Sequence, residues 1–327
     1  MSRSRAPAPS RSQSRGKRSS KVGWDPRNIP SQSGKTFVVT GGNAGIGYFI
    51  SEQLAASGAR VVIASRSAQK TAAALAALRT RVPDAQVGSV ALDLSSFASI
   101  RAAAAELSLL DRIDGLIENA GAIMPSKERR LTADDNELMF GTNHLGHFLL
   151  TALLFPALRK TPGSRVVTMG SSATRLTKID LDDLQSSRNF SAWAAYGQSK
   201  HATQSFGFEL DRRLRAADIP VTALVAHPGG GQDGNTPRRE GVNEPSCGTR
   251  AAAKLLFMVG GGKDKAAWSV VRAATDPDGV GGQYWGPRGG ISGQPRLARP
   301  ASVSHAEPLG RELWLKSEQL VGQPFPV

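Results

Sequence analysis

The sequence has very little cysteine, few aromatic residues and no long apolar segment. Cys247 is the one cysteine among 327 residues, so no disulfide can form within the chain and a reducing compartment is expected. No apolar run reaches the roughly 18 residues that span a bilayer, and the N-terminus lacks the apolar core of a secretory signal. These absences argue against a disulfide-stabilised secreted domain and a membrane-spanning protein, and predict a cytoplasmic location.

Positive charge is concentrated at the N-terminus. The formal net charge is +14, and residues 1–23 contain seven basic side chains and no acidic ones. This Ser-, Arg- and Pro-rich segment buries too little apolar surface to order itself. We predict a disordered basic tail over residues 1–24, with an anion- or nucleic-acid-binding arm as the alternative, and one folded domain over residues 25–327. Because the tail holds half of the excess charge, the domain is not expected to bind nucleic acid specifically.

Short apolar runs alternate with alanine- and leucine-rich helical stretches from Lys35 onwards. Apolar runs without polar alternation are typical of strands covered on both faces. The pattern predicts an α/β fold, a single Rossmann-type doubly wound parallel sheet with helices on both faces. The predicted strands are Thr36–Thr40, Arg60–Ala64, Gln86–Leu92, Ile113–Ile117, Ser164–Met169, Val221–Val225 and, less strongly, Gln283–Trp285. The predicted helices are Ile46–Ser57, Ala68–Thr80, Phe97–Leu107, Ala133–Leu158, Trp193–Ala216 and Ala306–Leu320.

A glycine-rich turn joins the first strand to the first helix. Glycines in such a turn let the backbone bend tightly and let a pyrophosphate approach the N–H groups at the start of the helix. The spacing here is Gly-x-x-x-Gly-x-Gly rather than Gly-x-Gly-x-x-Gly, but the strand–turn–helix context is the required one. The turn predicts a dinucleotide site that includes Gly41, Asn43, Gly45, Ile46 and Gly47.

The ends of the next strands indicate which dinucleotide binds. Ser65-Arg66 ends the second strand, where an acidic residue would bind the ribose hydroxyls of NAD. A guanidinium instead suits a 2′-phosphate, so NADP(H) is the preferred cofactor and NAD(H) the alternative. Asp93 and Leu94 follow the third strand, where the Asp93 carboxylate is placed to meet the adenine amino group. Asn119, Ala120 and Gly121 follow the fourth strand, where small residues permit close contact with the cofactor.

Tyr196 and Lys200 lie four residues apart in a predicted helix and therefore share one face. An ammonium beside a phenol stabilises the phenolate, and a phenol with a lowered pKa can exchange a proton with a carbonyl or alcohol near neutral pH. Ser172 precedes Tyr196 by 24 residues and Asn143 precedes it by 53. The pair alone is weak evidence, and it becomes a specific indication of catalysis only together with the glycine-rich turn at residues 40–47.

The ordered motifs resemble those of the short-chain dehydrogenase/reductase family over roughly residues 30–325. They are Thr40-Gly-Gly-Asn-Ala-Gly-Ile-Gly47, Asn119-Ala-Gly121, Asn143, Ser171-Ser172, Tyr196-x-x-x-Lys200 and Pro228-Gly229. The segment from Asn143 to Phe148, together with Ser65-Arg66, looks most like the retinol dehydrogenase and protochlorophyllide reductase branch. The helix that bears Tyr196 often forms a dimer interface in this family, so a homo-oligomer is a candidate assembly.

The resemblance implies a role for four side chains. Tyr196 would exchange a proton with the substrate oxygen, and Lys200 would lower its pKa and hold the nicotinamide ribose. Tyr196 and Lys200 would thus both belong to the cofactor-binding residues. Ser172, rather than Ser171, would hydrogen-bond the substrate oxygen. Asn143 would hold a water that links Lys200 to solvent. Hydride would pass between the nicotinamide and the substrate carbon, while the protein supplies position and electrostatics.

The chain departs from the family pattern near Pro228 and Gly229, which the resemblance assigns to cofactor binding. The family usually has a branched apolar residue two positions after this glycine and a threonine four positions after it. Here Gly231 and Asp233 hold those places. Glu118 also stands where an asparagine often precedes Asn-Ala-Gly, and it puts a carboxylate near the cofactor channel.

The expected function is NADP(H)-dependent hydride transfer to or from a carbonyl or alcohol of a small or lipophilic organic molecule. Two alternatives remain open, namely a dinucleotide-binding regulatory protein with weak turnover and a reductase of carbon–carbon double bonds. His144 and His147 lie three residues apart, but no third ligand has matching spacing, so no metal site is predicted.

Overall fold

A single mostly parallel sheet organises the chain. The computed structural model describes residues 24–123, 126–250 and 260–327, so residues 1–23 of the predicted tail lie outside the described ranges. The strands are β1 (Thr36–Thr40), β2 (Arg60–Ser65), β3 (Val87–Ala91), β4 (Gly115–Glu118), β5 (Arg165–Met169), β6 (Thr222–Ala226), β7 (Tyr284–Pro287) and β8 (Pro295–Leu297). Their order is β3-β2-β1-β4-β5-β6-β7-β8, parallel throughout except for the antiparallel pair β7 and β8.

Helices cover both faces of this sheet, as predicted. They are α1 (Gly45–Ala56), α2 (Ala68–Arg81), α3 (Phe97–Leu107), α4 (Leu138–Lys160), α5 (Ala192–Ala216), α6 (Lys263–Ala266), α7 (Trp268–Thr275), α8 (Ser302–His305) and α9 (Glu307–Val321). Apolar residues of α1, α2 and α7 form the core on one face, and those of α3, α4, α5 and α9 form the core on the other. Alternate residues of β1 serve the two cores, since Val38 packs into one while Phe37 and Val39 pack into the other.

The predicted helix over Ala133–Leu158 is wrong at its start. Helical structure begins at Leu138, because the preceding residues form a turn in which Thr132 N–H donates to Asn136 and Asp135 has a φ of 60°. The Glu137 carboxylate then accepts hydrogen bonds from the N–H groups of Met139 and Phe140 and caps the helix. Strand β8 and helices α6 to α8 were not predicted, and all of them are short.

Helix α4 is long and apolar enough to cross a membrane by length and composition alone. It runs from Leu138 to Lys160, and 83% of its most apolar window is buried inside the fold. A core helix of a water-soluble protein passes the same test, so this helix is weak evidence for a membrane span. The expected absence of a span stays a prediction.

Candidate active site

The strand order reverses between β1 and β4, and a cleft of about 700 Å³ opens at the carboxyl ends of the strands there. Open α/β sheets bind their ligands at this kind of switch point. The lining contains every predicted cofactor-binding residue except Tyr196, Lys200, Pro228 and Gly229. It includes Gly41, Asn43, Gly45, Ile46, Gly47, Arg66, Asp93, Leu94, Asn119, Ala120 and Gly121, with Lys70, Thr142 and Lys263 in addition.

The glycine-rich turn has the geometry that a pyrophosphate requires. Gly41 and Gly45 adopt φ values of 65° and 58°, which side-chain-bearing residues rarely adopt. A Cβ on Gly47 would lie 2.3 Å from both the Asn119 amide nitrogen and the Gly41 carbonyl oxygen. Ala44, at the N-cap of α1, has no polar side chain to cap the helix, so the first N–H groups are available to an anion. The turn therefore fits a dinucleotide.

Two cations lie at the end of β2. Arg66 and Lys70 are both exposed and both line the cleft. Within the described ranges, neither side chain has a hydrogen-bond or ion-pair partner. Lys70 was missed from the sequence, although its position one helical turn after Arg66, in the first turn of α2, was a usable indication. Two unpaired cations at this edge suit a phosphate group.

The ends of β3 and β4 are fixed by side-chain hydrogen bonds. Asp93 Oδ1 accepts from the backbone N–H and the hydroxyl of Ser95 at 2.9 and 2.6 Å, which orients its carboxylate at the cleft. The Asn119 amide donates to the Thr40 carbonyl at 2.8 Å, and the Ala120 N–H donates to the Thr40 hydroxyl at 3.0 Å. These bonds tie β4 to β1 beside the glycine-rich turn.

Lys200 and Asn143 meet at Gly121, the small residue that follows β4. A Cβ on Gly121 would lie 3.5 Å from Lys200 Nζ and 3.3 Å from Asn143 Oδ1. Asn143 lies in a π-helical turn, Gly141–Leu145, and its amide nitrogen donates to the Ala122 carbonyl and the Ser199 hydroxyl at 3.1 and 2.9 Å. Lys200 donates to the Met169 carbonyl at 2.9 Å. A π-turn is frequent at functional sites because it re-aims side chains.

Ser171, not Ser172, lies beside the tyrosine. The Tyr196 hydroxyl and Ser171 Oγ are 3.4 Å apart, whereas Ser172 is exposed and begins a short 3₁₀ helix, Ser172–Arg175. The reason is that pairing with β6 continues past β5, since the Gly170 N–H donates to the Ala226 carbonyl. Ser171 is therefore the first serine after the paired backbone. Gly170, which separates β5 from this serine, was the residue in the sequence that could have indicated it. The predicted role of Ser172 stays a prediction, and the hydroxyl beside Tyr196 is that of Ser171.

Burial dominates the electrostatics of the site. It raises the pKa of the Tyr196 phenol, and the Ser171 hydroxyl partly opposes this. The Lys200 ammonium is not among the causes of this shift, so the expectation that it lowers the pKa of Tyr196 stays a prediction. Burial also lowers the pKa of Lys200 to about 8, with the Glu118 carboxylate opposing it.

Glu118 is a wholly buried carboxyl group at the end of β4. Burial raises its pKa to about 7, while hydroxyl donors and the Lys200 ammonium oppose the rise. Those donors are Thr151 and Thr168, at 2.5 and 2.9 Å from the two carboxyl oxygens. Glu118 and Lys200 thus form a coupled buried pair of opposite charge, and each opposes the effect of burial on the other.

Comparison with known proteins agrees with this geometry. A profile of the short chain dehydrogenase family matches residues 35–235. This chain belongs to the short chain dehydrogenase family. Polyprenol dehydrogenase of Mus musculus is 35% identical over 305 residues, covering 91% of this chain and 87% of that protein. Retinol dehydrogenase 13 of Homo sapiens is 35% identical over 297 residues, covering 90% of this chain and 86% of that protein. The predicted likeness to the retinol dehydrogenase branch is confirmed.

Solved structures share the fold. An uncharacterized protein from Mycobacterium paratuberculosis superposes with a TM-score of 0.76 at 35% identity, covering 94% of this chain and all of that one. The RhlG/NADP complex of Pseudomonas aeruginosa superposes with a TM-score of 0.59 at 25% identity, covering 80% and 97% of the two chains. As an oxidoreductase of the short chain dehydrogenase family, the chain binds a nicotinamide dinucleotide.

The segment after β6 departs in structure from the expectation for a short chain dehydrogenase. Pro228 and Gly229 do not line the cleft; a Cβ on Gly229 would lie 2.3 Å from the Ile291 carbonyl oxygen, and the Gly230 N–H donates to that oxygen at 2.8 Å. Asp233, at the position of the usual threonine, forms an ion pair with Lys263. The assignment of Pro228 and Gly229 to cofactor binding stays a prediction.

The two histidines of α4 are hydrogen-bonded within this dehydrogenase fold. His144 Nε2 lies 2.8 Å from the Ser317 hydroxyl, and His147 lies between the Thr40 hydroxyl and the Asn143 carbonyl at 2.9 and 3.0 Å. Burial lowers the pKa of both imidazoles, to about 3 and about 4. Among the residues that the structure describes, no three His, Cys, Asp or Glu side chains converge as metal ligands.

Proposed function

We propose that this dehydrogenase is an NADP(H)-dependent oxidoreductase that interconverts an alcohol and a carbonyl on a lipophilic organic molecule. The observation that carries the proposal is the meeting of three groups beside the cleft. Tyr196 Oη lies 3.4 Å from Ser171 Oγ, and Lys200 Nζ faces Gly121 in the cleft lining. A phenol, a hydroxyl and an ammonium in this arrangement suit proton transfer to a substrate oxygen.

The chain's own groups would hold the reactants and move the proton. When bound, the nicotinamide supplies or accepts the hydride. In reduction, Tyr196 Oη gives its proton to the substrate oxygen, and Ser171 Oγ orients that oxygen. Because burial raises the pKa of Tyr196, the phenol keeps its proton at neutral pH. Carbonyl reduction is therefore favoured near neutral pH, and alcohol oxidation, which needs the phenolate, at higher pH.

The cations at the end of β2 support the choice of NADP(H). Arg66 and Lys70 line the cleft without a partner in the described ranges, where a 2′-phosphate would neutralise them. No acidic residue occupies the end of β2 to bind the ribose hydroxyls of NAD. The RhlG structure, at 25% identity, is a complex with NADP.

Three exposed apolar side chains, one in the cleft lining and one beside the Tyr196 ring, support a lipophilic substrate. Ile123 lines the cleft and is 66% exposed, and Leu176, after the 3₁₀ helix that follows Ser171, is 79% exposed. The Trp193 ring is 53% exposed and lies 6.1 Å from the Tyr196 ring. Apolar groups left in water at a cleft are suited to bind an apolar ligand. The names of the relatives, polyprenol and retinol dehydrogenase, point to the same class.

The test is turnover read at 340 nm with NADPH and NADH against retinal, a short polyprenal, small aldehydes and an enone. We expect reduction of the lipophilic aldehydes with NADPH. Reduction of the enone double bond alone would make the chain a double-bond reductase. Cofactor binding without turnover on any of these would support a regulatory role and contradict the proposal.

We also propose a cytoplasmic location without a membrane span, on the basis of the single cysteine and the burial of α4. Fractionation of cells that express the chain tests this. Recovery in the salt-washed membrane pellet would contradict it.

A further inference from the structure

Lys263 lies beside the positions after Pro228 at which the chain departs from the family pattern. Gly231 and Asp233 occupy the positions where the family usually has an apolar residue and a threonine. Lys263 lies across from both of them, at the start of α6, and it lines the same cleft as the glycine-rich turn and Arg66. It is the one lysine of α6 that does so, because Lys265 is exposed and outside the lining.

Gly231 provides the space that the Lys263 side chain occupies. A Cβ on Gly231 would lie 3.3 Å from Lys263 Cγ and 3.4 Å from its Cα. A branched apolar side chain at this position would therefore crowd the lysine. The glycine, which looks like a loss when the sequence is compared with the family, leaves room for the lysine.

The backbone around Lys263 is held in place at several points. Its N–H donates to the Thr236 hydroxyl at 2.9 Å, and Gly231 pairs with Gly261 as an isolated parallel bridge. The Gln53 amide of α1 donates to the Asp264 carbonyl at 2.8 Å. Helix α6 is thereby fixed to α1, whose N-terminus follows the glycine-rich turn. A side chain on such a support keeps its direction towards the cleft.

We propose that Lys263 binds the pyrophosphate of the dinucleotide and that Asp233 holds its ammonium until the cofactor arrives. The two side chains form an ion pair in which Asp233 is 57% exposed and Lys263 is 22% exposed. An ion pair with one exposed partner is weak, so a doubly charged pyrophosphate can displace the carboxylate. This inference rests on the proposed function, because it requires a dinucleotide in the cleft.

Two fragments of the cofactor separate this role from that of Arg66. ADP-ribose contains the pyrophosphate and no 2′-phosphate, whereas adenosine 2′-phosphate contains the 2′-phosphate and neither phosphate of the pyrophosphate. Isothermal titration of Lys263→Ala should show ADP-ribose binding about 10- to 100-fold weaker, the loss of one charge-assisted contact, with adenosine 2′-phosphate within about twofold of the unchanged protein. Arg66→Ala should show the reverse order.

The matched control is Lys265→Ala, which removes the same charge from the same helix and should leave both affinities unchanged. Asp233→Asn removes the competitor and should tighten ADP-ribose binding. If the ion pair were only structural, Asp233→Asn and Lys263→Ala would instead weaken binding together. Retained binding of adenosine 2′-phosphate shows that a Lys263 or Asp233 variant is folded.

The possible failures are distinguishable. Equal loss of both fragments in Lys263→Ala, or no loss of ADP-ribose, overturns the role of Lys263 while the proposed function stands. If the unchanged protein binds neither fragment nor NADPH, the proposed function itself fails, and the role of Lys263 fails with it.

Discussion

Replacing Glu118 with glutamine should change how the stability of the fold depends on pH. Burial raises the pKa of this carboxyl from 4.5 to about 7, so the folded protein holds its proton more tightly than the unfolded chain. The stabilisation that comes from this more tightly held proton is fully present below pH 4.5 and is lost as the pH rises through 7. Each pKa unit corresponds to about 1.4 kcal/mol, so up to roughly 3 kcal/mol of unfolding free energy is involved.

Lys200 contributes to the stability of the unchanged protein with the opposite dependence on pH. Its folded-state pKa is depressed to about 8, so its cost to stability grows as the pH falls through 8. Without the Glu118 carboxylate the ammonium loses its buried counter-charge, and the pKa of Lys200 should fall further. The glutamine variant should then lose more stability on acidification than the unchanged protein does.

Urea unfolding at pH 5 and pH 8 measures the difference directly. The stability of the unchanged protein minus that of Glu118→Gln should increase by about 2–3 kcal/mol from pH 8 to pH 5. Glu106→Gln, on the exposed side of α3, is the matched control and should show no such change. Parallel pH curves for the unchanged protein and Glu118→Gln would refute the burial argument.

Three further outcomes follow from the site. Ser171→Ala should lower turnover at least about 10-fold, because a hydrogen bond to the substrate oxygen is lost, whereas the turnover of Ser172→Ala should stay within about twofold of the unchanged protein. The opposite order in steady-state assays would assign the substrate-binding role to Ser172. Arg66→Ala should weaken NADPH binding about 10- to 100-fold and leave NADH nearly unchanged by fluorescence titration, and equal dissociation constants in the unchanged protein would contradict the preference. Gly47→Ala should abolish measurable binding of both cofactors, because its Cβ would lie 2.3 Å from the Asn119 amide; a bound cofactor in this variant would show that the turn adapts.

The sheet and the cofactor cleft were predictable from the sequence because both depend on local patterns. Apolar runs without alternation identified β1 to β6, and the glycine spacing after β1 identified the turn. The start of α4 was not predictable from periodicity. A glutamate at position 137 looks the same in the sequence whether it caps a helix or lies within one. Only the hydrogen bonds that its carboxylate accepts from the N–H groups of Met139 and Phe140 show that it caps α4.

The arrangement around Tyr196 depends on contacts between distant segments. Whether Ser171 or Ser172 lies beside the tyrosine depends on how far β5 pairs with β6, and the last bond of that pairing joins Gly170 to Ala226, 56 positions further along the chain. The pKa of Tyr196 depended on burial, which no local spacing reveals. Lys263 lies 30 residues from Asp233 in the sequence, in a segment without a recognisable motif. Its place in the cleft can therefore be recognised only in the folded structure.

The most direct test of the account is the turnover of Tyr196→Phe with NADPH on an aldehyde that the unchanged protein reduces. Removal of the phenolic proton should lower turnover by at least about 100-fold, with the NADPH dissociation constant within about twofold. Tyr284→Phe is the matched control, because its hydroxyl accepts from Gln204 at 3.2 Å and it does not line the cleft; it should keep most of the activity. Turnover of Tyr196→Phe within a few-fold of the unchanged protein would contradict the assignment of Tyr196 as the proton donor.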